Sequence, residues 1–124
     1  MLRETIYSNV FYIYEGEDLV GIRHDPGKYQ QDYLTGDVVM VTDDGNGYIC
    51  SGITTPGIGM IVGVREDDTD YFFAIQMANG EHGFCKSNRL EVLQDHPLDP
   101  ATKAFFEHAR NEYVCMERLH RLIA

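Results

Sequence analysis

Tyr71-Phe72-Phe73-Ala74-Ile75-Gln76-Met77-Ala78-Asn79-Gly80-Glu81-His82-Gly83-Phe84-Cys85-Lys86 is the stretch on which the fold reading turns. Tyr71 to Ala78 has the aromatic and apolar content of a buried strand. Asn79-Gly80 supplies two residues that accept positive φ, as a tight hairpin demands, and Glu81 to Lys86 pairs back. Moving toward the N-terminus, Glu66-Asp67-Asp68-Thr69-Asp70 reads as a charged turn. Before it, Ile58 to Arg65 reads as a strand with Gly59 and Gly63 inside, where glycine marks a bulge or a sharp coil. Asp37 to Thr42 is an earlier strand, ended by Asp43-Asp44-Gly45-Asn46-Gly47. Tyr48-Ile49-Cys50 makes a short extension before the loop Ser51 to Gly57, which turns at Thr54-Thr55-Pro56-Gly57. Moving toward the C-terminus, Ser87-Asn88-Arg89 reads as a tight helical turn and Leu90 to Leu93 as a last strand. Five short strands with glycine at the bends predict a small closed barrel over residues 36–94.

The order of these parts resembles an SH3-like barrel: a strand, a long first loop, three strands joined by tight turns, a one-turn helix and a final strand. Gly83-Phe84-Cys85-Lys86-Ser87-Asn88-Arg89-Leu90-Glu91-Val92-Leu93 is similar to the end of an SH3 domain. Pro56-Gly57-Ile58-Gly59-Met60-Ile61-Val62 is similar to the glycine-centred strand of KOW-type barrels. The resemblance implies the scaffold alone, because a fold does not fix a function. A polyproline groove is not implied: tryptophan is absent, Lys86 stands where SH3 domains carry proline, and Arg89 where they carry tyrosine.

At 124 residues the chain is one domain, with the barrel flanked by two extensions. In residues 1–35, Val10 to Tyr14 and Leu19 to Ile22 flank the turn Glu15-Gly16-Glu17-Asp18 and predict a hairpin. Tyr29 and Tyr33, at i,i+4, predict a short helix closed by Gly36 with a tyrosine face. Asp99-Pro100 is a helix N-cap and first helical residue, and nothing from Ala101 to Ile123 breaks a helix over 99–123. On a helical projection Phe105, Ala109, Met116, Leu119, His120 and Ile123 form one apolar stripe, expected to cover the barrel or to pair with a second copy. Glu112 falls in the middle of that stripe, one turn after His108, where a carboxylate needs a partner.

The net charge of −10 is uneven. Residues 1–70 hold 13 of the 20 acids but only 4 of the 10 bases, while residues 99–124 hold four of each. A polyanion is repelled by such a surface, so direct nucleic-acid binding is disfavoured. No apolar run approaches the length of a membrane helix, and Met1-Leu2-Arg3-Glu4-Thr5 does not open a signal peptide. Three cysteines without a C-x-x-C argue against a disulfide framework or a structural zinc site, and a reducing, cytoplasmic setting is the expectation. Cys50 and Cys115 read as small core residues.

G-x-S-x-G, P-loop, H-E-x-x-H and dinucleotide fingerprints are all missing from the sequence. The expectation is therefore a non-enzymatic module without cofactor or metal, binding a basic protein surface. Its candidate contact residues are Asp43, Asp44, Glu66, Asp67, Asp68, Asp70, Glu15, Glu17 and Asp18 in three acidic turns, and Tyr29 and Tyr33. Inhibition of a nucleic-acid-binding protein by charge mimicry is the alternative. A small enzyme or metal protein using His108 and Glu112 comes third.

Overall fold

In the computed structural model, which describes residues 1–67 and 70–123, the chain forms two antiparallel sheets and one helix. The first sheet holds β1 (Leu2–Glu4), β2 (Val10–Glu15), β3 (Asp18–His24) and β4 (Gln31–Leu34), paired in chain order. The second holds β5 (Val38–Val41), β6 (Gly57–Glu66), β7 (Tyr71–Met77), β8 (His82–Cys85) and β9 (Leu90–Val92), in the order β8-β7-β6-β5-β9. A 3-10 turn over Ser87–Arg89 separates the last two strands, and α1 spans Pro100–Ile123. The chain is thus mainly β with one C-terminal helix.

The turn between the two sheets follows from glycine. Thr35 and Gly36 (φ +96°) lie at its centre, and the Asp37 N–H closes it by donating to the Leu34 carbonyl at 3.0 Å. The Leu34 N–H in turn donates to the Asp37 carboxylate at 2.9 Å.

β6 is buried on both faces over its middle. Ile61 and Val64 join the main core between the sheets, with Tyr12, Ile22, Val39, Val41, Phe73, Ile75 and Met77. Met60 and Val62 face the other way and make a second, smaller core with Ala74 and Phe106 beneath α1. The register shift between Ile61 and Gly63 is what allows Ile61 and Val64, three residues apart, to reach the same side. Gly63 is also the seat of the helix: a Cβ there would stand 1.9 Å from the Tyr113 ring.

Several expectations are corrected by these contacts. The five-stranded sheet is open, since β8 and β9 end it and do not pair with each other, so the barrel is not closed. Tyr29 and Tyr33 do not share a helix; Gln31–Leu34 is a strand, because Tyr33 gains more by packing against His24 and Phe73 than from a helical turn. Tyr48-Ile49-Cys50 is no strand and contributes one isolated bridge, Cys50 to Ile53.

The helix also docks on a different face from the one projected. Phe106 is fully buried while Phe105, Met116 and Leu119 are exposed, a rotation of roughly 80° at 100° per residue. Small Ala109 permits close approach and Tyr113 covers Gly63, so shape selects this face over the longer stripe. Glu112 is consequently at the surface, where its partner is His108 at 3.1 Å. Cys115 is exposed as well, not a core residue.

Candidate functional site: the acidic turns

The three acidic turns have different surroundings. The segment joining β5 to β6 begins with a turn that holds Asp43 and Asp44, where Gly45 and Gly47 have φ near +90°. Backbone N–H groups organise it: Gly45 donates to Asp43 Oδ1 at 2.9 Å, and Asn46 and Tyr48 donate to Asp44 Oδ1 at 2.8 and 3.2 Å. The Asn46 N–H, and after it the Tyr48 N–H working against slight desolvation, hold the Asp44 carboxyl below its ordinary value. These bonds fix both side chains through Oδ1, and among the described residues neither carboxylate forms an ion pair. Tyr48 is exposed beside them.

The turn joining β6 to β7 lies at the opposite end of β6, and packing brings it cations. Arg3 forms an ion pair with Glu66, to which Tyr14 also donates at 3.2 Å, and the Arg3 guanidinium sits over the Tyr12 and Tyr14 rings at 5.1 and 5.2 Å. Lys86 pairs with Asp70 and lies over Phe72 and Tyr71 at 4.5 and 4.9 Å. Desolvation works against ionisation of Asp70, but Lys86 and the Tyr71 N–H outweigh it and hold the carboxyl low. Asp67 accepts from the Asp70 N–H at 2.7 Å. Asp68 lies outside the described residues.

In the turn joining β2 to β3, Arg118 and Arg121 of α1 reach Asp18 at 3.0 and 2.7 Å, and Arg121 also donates to the Glu17 carbonyl at 2.6 Å. Those two arginines hold the Asp18 carboxyl below its usual range. Glu15 and Glu17 are exposed and without ion pairs among the described residues. Tyr29 is exposed, with Lys28 over its ring at 5.6 Å, whereas Tyr33 is part of the packing between the sheets. The two tyrosines form no common surface.

Sequence reasoning missed a cleft of about 660 Å³ between the β2–β3 turn, β6 and α1. Its walls mix signs, with Glu15, Glu66 and Glu117 facing Arg65, Arg110 and Arg118. It also missed the close contact of Cys50 with Cys85, whose sulfur atoms are 3.0 Å apart. Neither is visible in local spacing, since each joins residues tens of positions apart. Among the described residues no three His, Cys, Asp or Glu side chains converge where a metal ion would sit, and no helix is long and apolar enough to cross a membrane. His82 is exposed and Cys85 buried, on opposite faces of β8.

Comparison of the chain with protein-family models, with curated proteins and with solved structures finds no match to any of them.

Proposed function

We propose that the protein is a non-enzymatic, intracellular interaction module that receives a basic protein segment on the Asp43–Tyr48 turn. The observation that carries this reading is the state of the two carboxylates. Asp43 and Asp44 are held in place by backbone N–H groups, form no ion pair among the described residues, with only the more distant charge of Arg89 acting on Asp44, and stand next to an exposed tyrosine. Ordering the carboxylates before contact lowers the entropy cost of binding, and an aromatic ring beside them gives an arginine both a charge and a face to stack on. Glu15 and Glu17 offer a second, smaller anionic point. Asp18, Glu66 and Asp70 already have cations of their own and contribute less, which also leaves charge mimicry of a long nucleic acid with fewer free carboxylates to use.

The strand order β9-β5-β6-β7-β8, with a one-turn helix before the last strand, supports an SH3-like scaffold as the platform for this turn. The unpaired stripe on α1, with Met116 and Leu119 exposed, supports self-association as a weaker companion reading.

The test is fluorescence anisotropy with a labelled arginine-rich peptide. Wild type is expected to bind it, and Asp43→Asn with Asp44→Asn, which keeps the side-chain acceptors of the turn, is expected to weaken binding about tenfold, a change equivalent to about 1.4 kcal/mol. Equal binding by both proteins contradicts the reading.

A further inference from the structure

The loop that follows the acidic turn is laid against β8 by backbone contact. A Cβ on Gly52 would stand 2.3 Å from the His82 carbonyl oxygen, and one on Gly83 would stand 2.4 Å from the Ser51 carbonyl oxygen. Only glycine at both positions lets the two segments approach so closely. Their contact brings Cys50, half-buried in the loop, to Cys85, buried at the end of β8. The two sulfur atoms are 3.0 Å apart, about 1 Å beyond the length of a disulfide bond.

We infer that Cys50 and Cys85 are a thiol–disulfide exchange site, which a small disulfide of the oxidised-glutathione class converts to a reversible Cys50–Cys85 bond that staples residues 50–53 to β8. Cys50 is the attacking group because it is the more accessible of the two. Its thiolate forms a bond to one sulfur of the small disulfide and expels the other as a thiolate, which takes up the proton that Cys50 has lost. The Cys85 sulfur then attacks Cys50, the mixed disulfide breaks, and the second small thiol leaves with the Cys85 proton. Two protein thiols have been oxidised and one small disulfide reduced to two thiols. Burial pushes the Cys85 thiol well above its ordinary pKa, so that sulfur does not start the reaction, and its place 3.0 Å from the Cys50 sulfur is what lets it resolve the mixed disulfide.

The site is independent of the basic-partner reading, since neither cysteine is one of its contact residues. In a reducing cytoplasm the bond forms transiently, and in an oxidising compartment it persists.

The experiment is incubation of the folded chain, and of a Cys115→Ser variant, with millimolar oxidised glutathione, followed by alkylation and peptide mapping without reduction. The Cys115→Ser variant is expected to lose two hydrogens in intact mass, wild type to carry in addition a glutathione adduct on the exposed Cys115, and both to yield one linked peptide joining Cys50 to Cys85. Their Tm is expected to rise by about 10 °C as a 35-residue separation is closed, and to return on reduction. Cys85→Ala is expected to stop at a glutathione adduct on Cys50, which shows the order of attack. Recovery of Cys50 and Cys85 as free thiols overturns the inference, and so does wild type that retains the glutathione adduct on Cys50 with Cys85 still reduced.

Discussion

The two ends of β6 carry nearly the same chemistry and differ in what surrounds it. At one end Asp43 and Asp44 are hydrogen-bonded by backbone N–H groups and form no ion pair among the described residues; at the other Glu66 and Asp70 are matched by Arg3 and Lys86. Composition does not distinguish them, since both are short acidic runs before a β-rich segment. The distinction is made by the packing of remote elements: Arg3 arrives on β1, from 63 residues away, and Lys86 at the end of β8. A count of charges therefore overstates the free anionic surface, and among the described residues the end without ion pairs is the one that the proposed reading assigns to a partner.

The largest effect is expected where the cations themselves are delivered. Phe106, on the face of α1 that packs against β6, is fully buried, and Phe106→Ala is expected to cost about 3–5 kcal/mol in a denaturant titration. Loss of the helix also strips Arg118 and Arg121 from Asp18, so the variant breaks the distinction between paired and free acids at that turn. Gly63→Ala works by the same route with a smaller expected cost of about 1–3 kcal/mol, because its methyl group meets the Tyr113 ring.

Lys86→Ala is expected to cost about 1 kcal/mol, from one partly exposed ion pair and the contact with the Phe72 and Tyr71 rings. It frees Asp70, and it should therefore make binding of a basic peptide at the previously neutralised end stronger and more salt-dependent.

Acid gives a third probe. Beneath the paired end, His24 Nε2 and the Tyr71 hydroxyl are 3.0 Å apart, and burial lowers the affinity of His24 for a proton. Below the ordinary imidazole value of 6.5 the unfolded chain then binds more protons than the folded one, so stability, full above that pH, declines as pH falls through the folded-state value. Asp18 and Asp70 act in the same direction much lower, below the ordinary carboxyl value of 3.8. A Tm series is expected to show its first decline below pH 6.5, and His24→Gln should remove that early step while leaving the carboxylate step.

The elements legible in the sequence are those settled by neighbours along the chain. Asn79-Gly80 turns the β7–β8 hairpin, with Gly80 at φ +96°. Asp99 caps α1 through the Thr102 N–H at 2.7 Å, and Ser87 to Arg89 form the expected single helical turn. What was not legible depends on distant residues. A projection favours the stripe through Phe105, and the face through Phe106 is chosen only because Gly63, more than 40 positions earlier, offers a seat for Tyr113. β1 has only three residues and acquires its strand geometry from β2. Tyr33 looks like the partner of Tyr29 by spacing, and only the aromatic packing between the sheets makes it core. Among the acids, no local signal separates Asp18, paired across 100 residues with Arg118, from Glu15 and Glu17 beside it.

The smallest stability effect belongs to the substitution that bears most directly on the proposed function. Asp43→Asn with Asp44→Asn preserves the acceptors of the turn at exposed positions and is expected to change stability by no more than about 0.5 kcal/mol. Stopped-flow association with an arginine-rich peptide at low and physiological salt then tests the central claim, by comparing this pair with Glu66→Gln. Wild-type association is expected to slow as salt rises, because attraction between exposed charges is screened over about 8 Å at physiological ionic strength. Neutralising Asp43 and Asp44 should slow association at low salt and flatten its salt dependence, while Glu66→Gln leaves both close to wild type. Rates insensitive to salt, or a larger loss from Glu66→Gln than from the Asp43 and Asp44 pair, contradict the account.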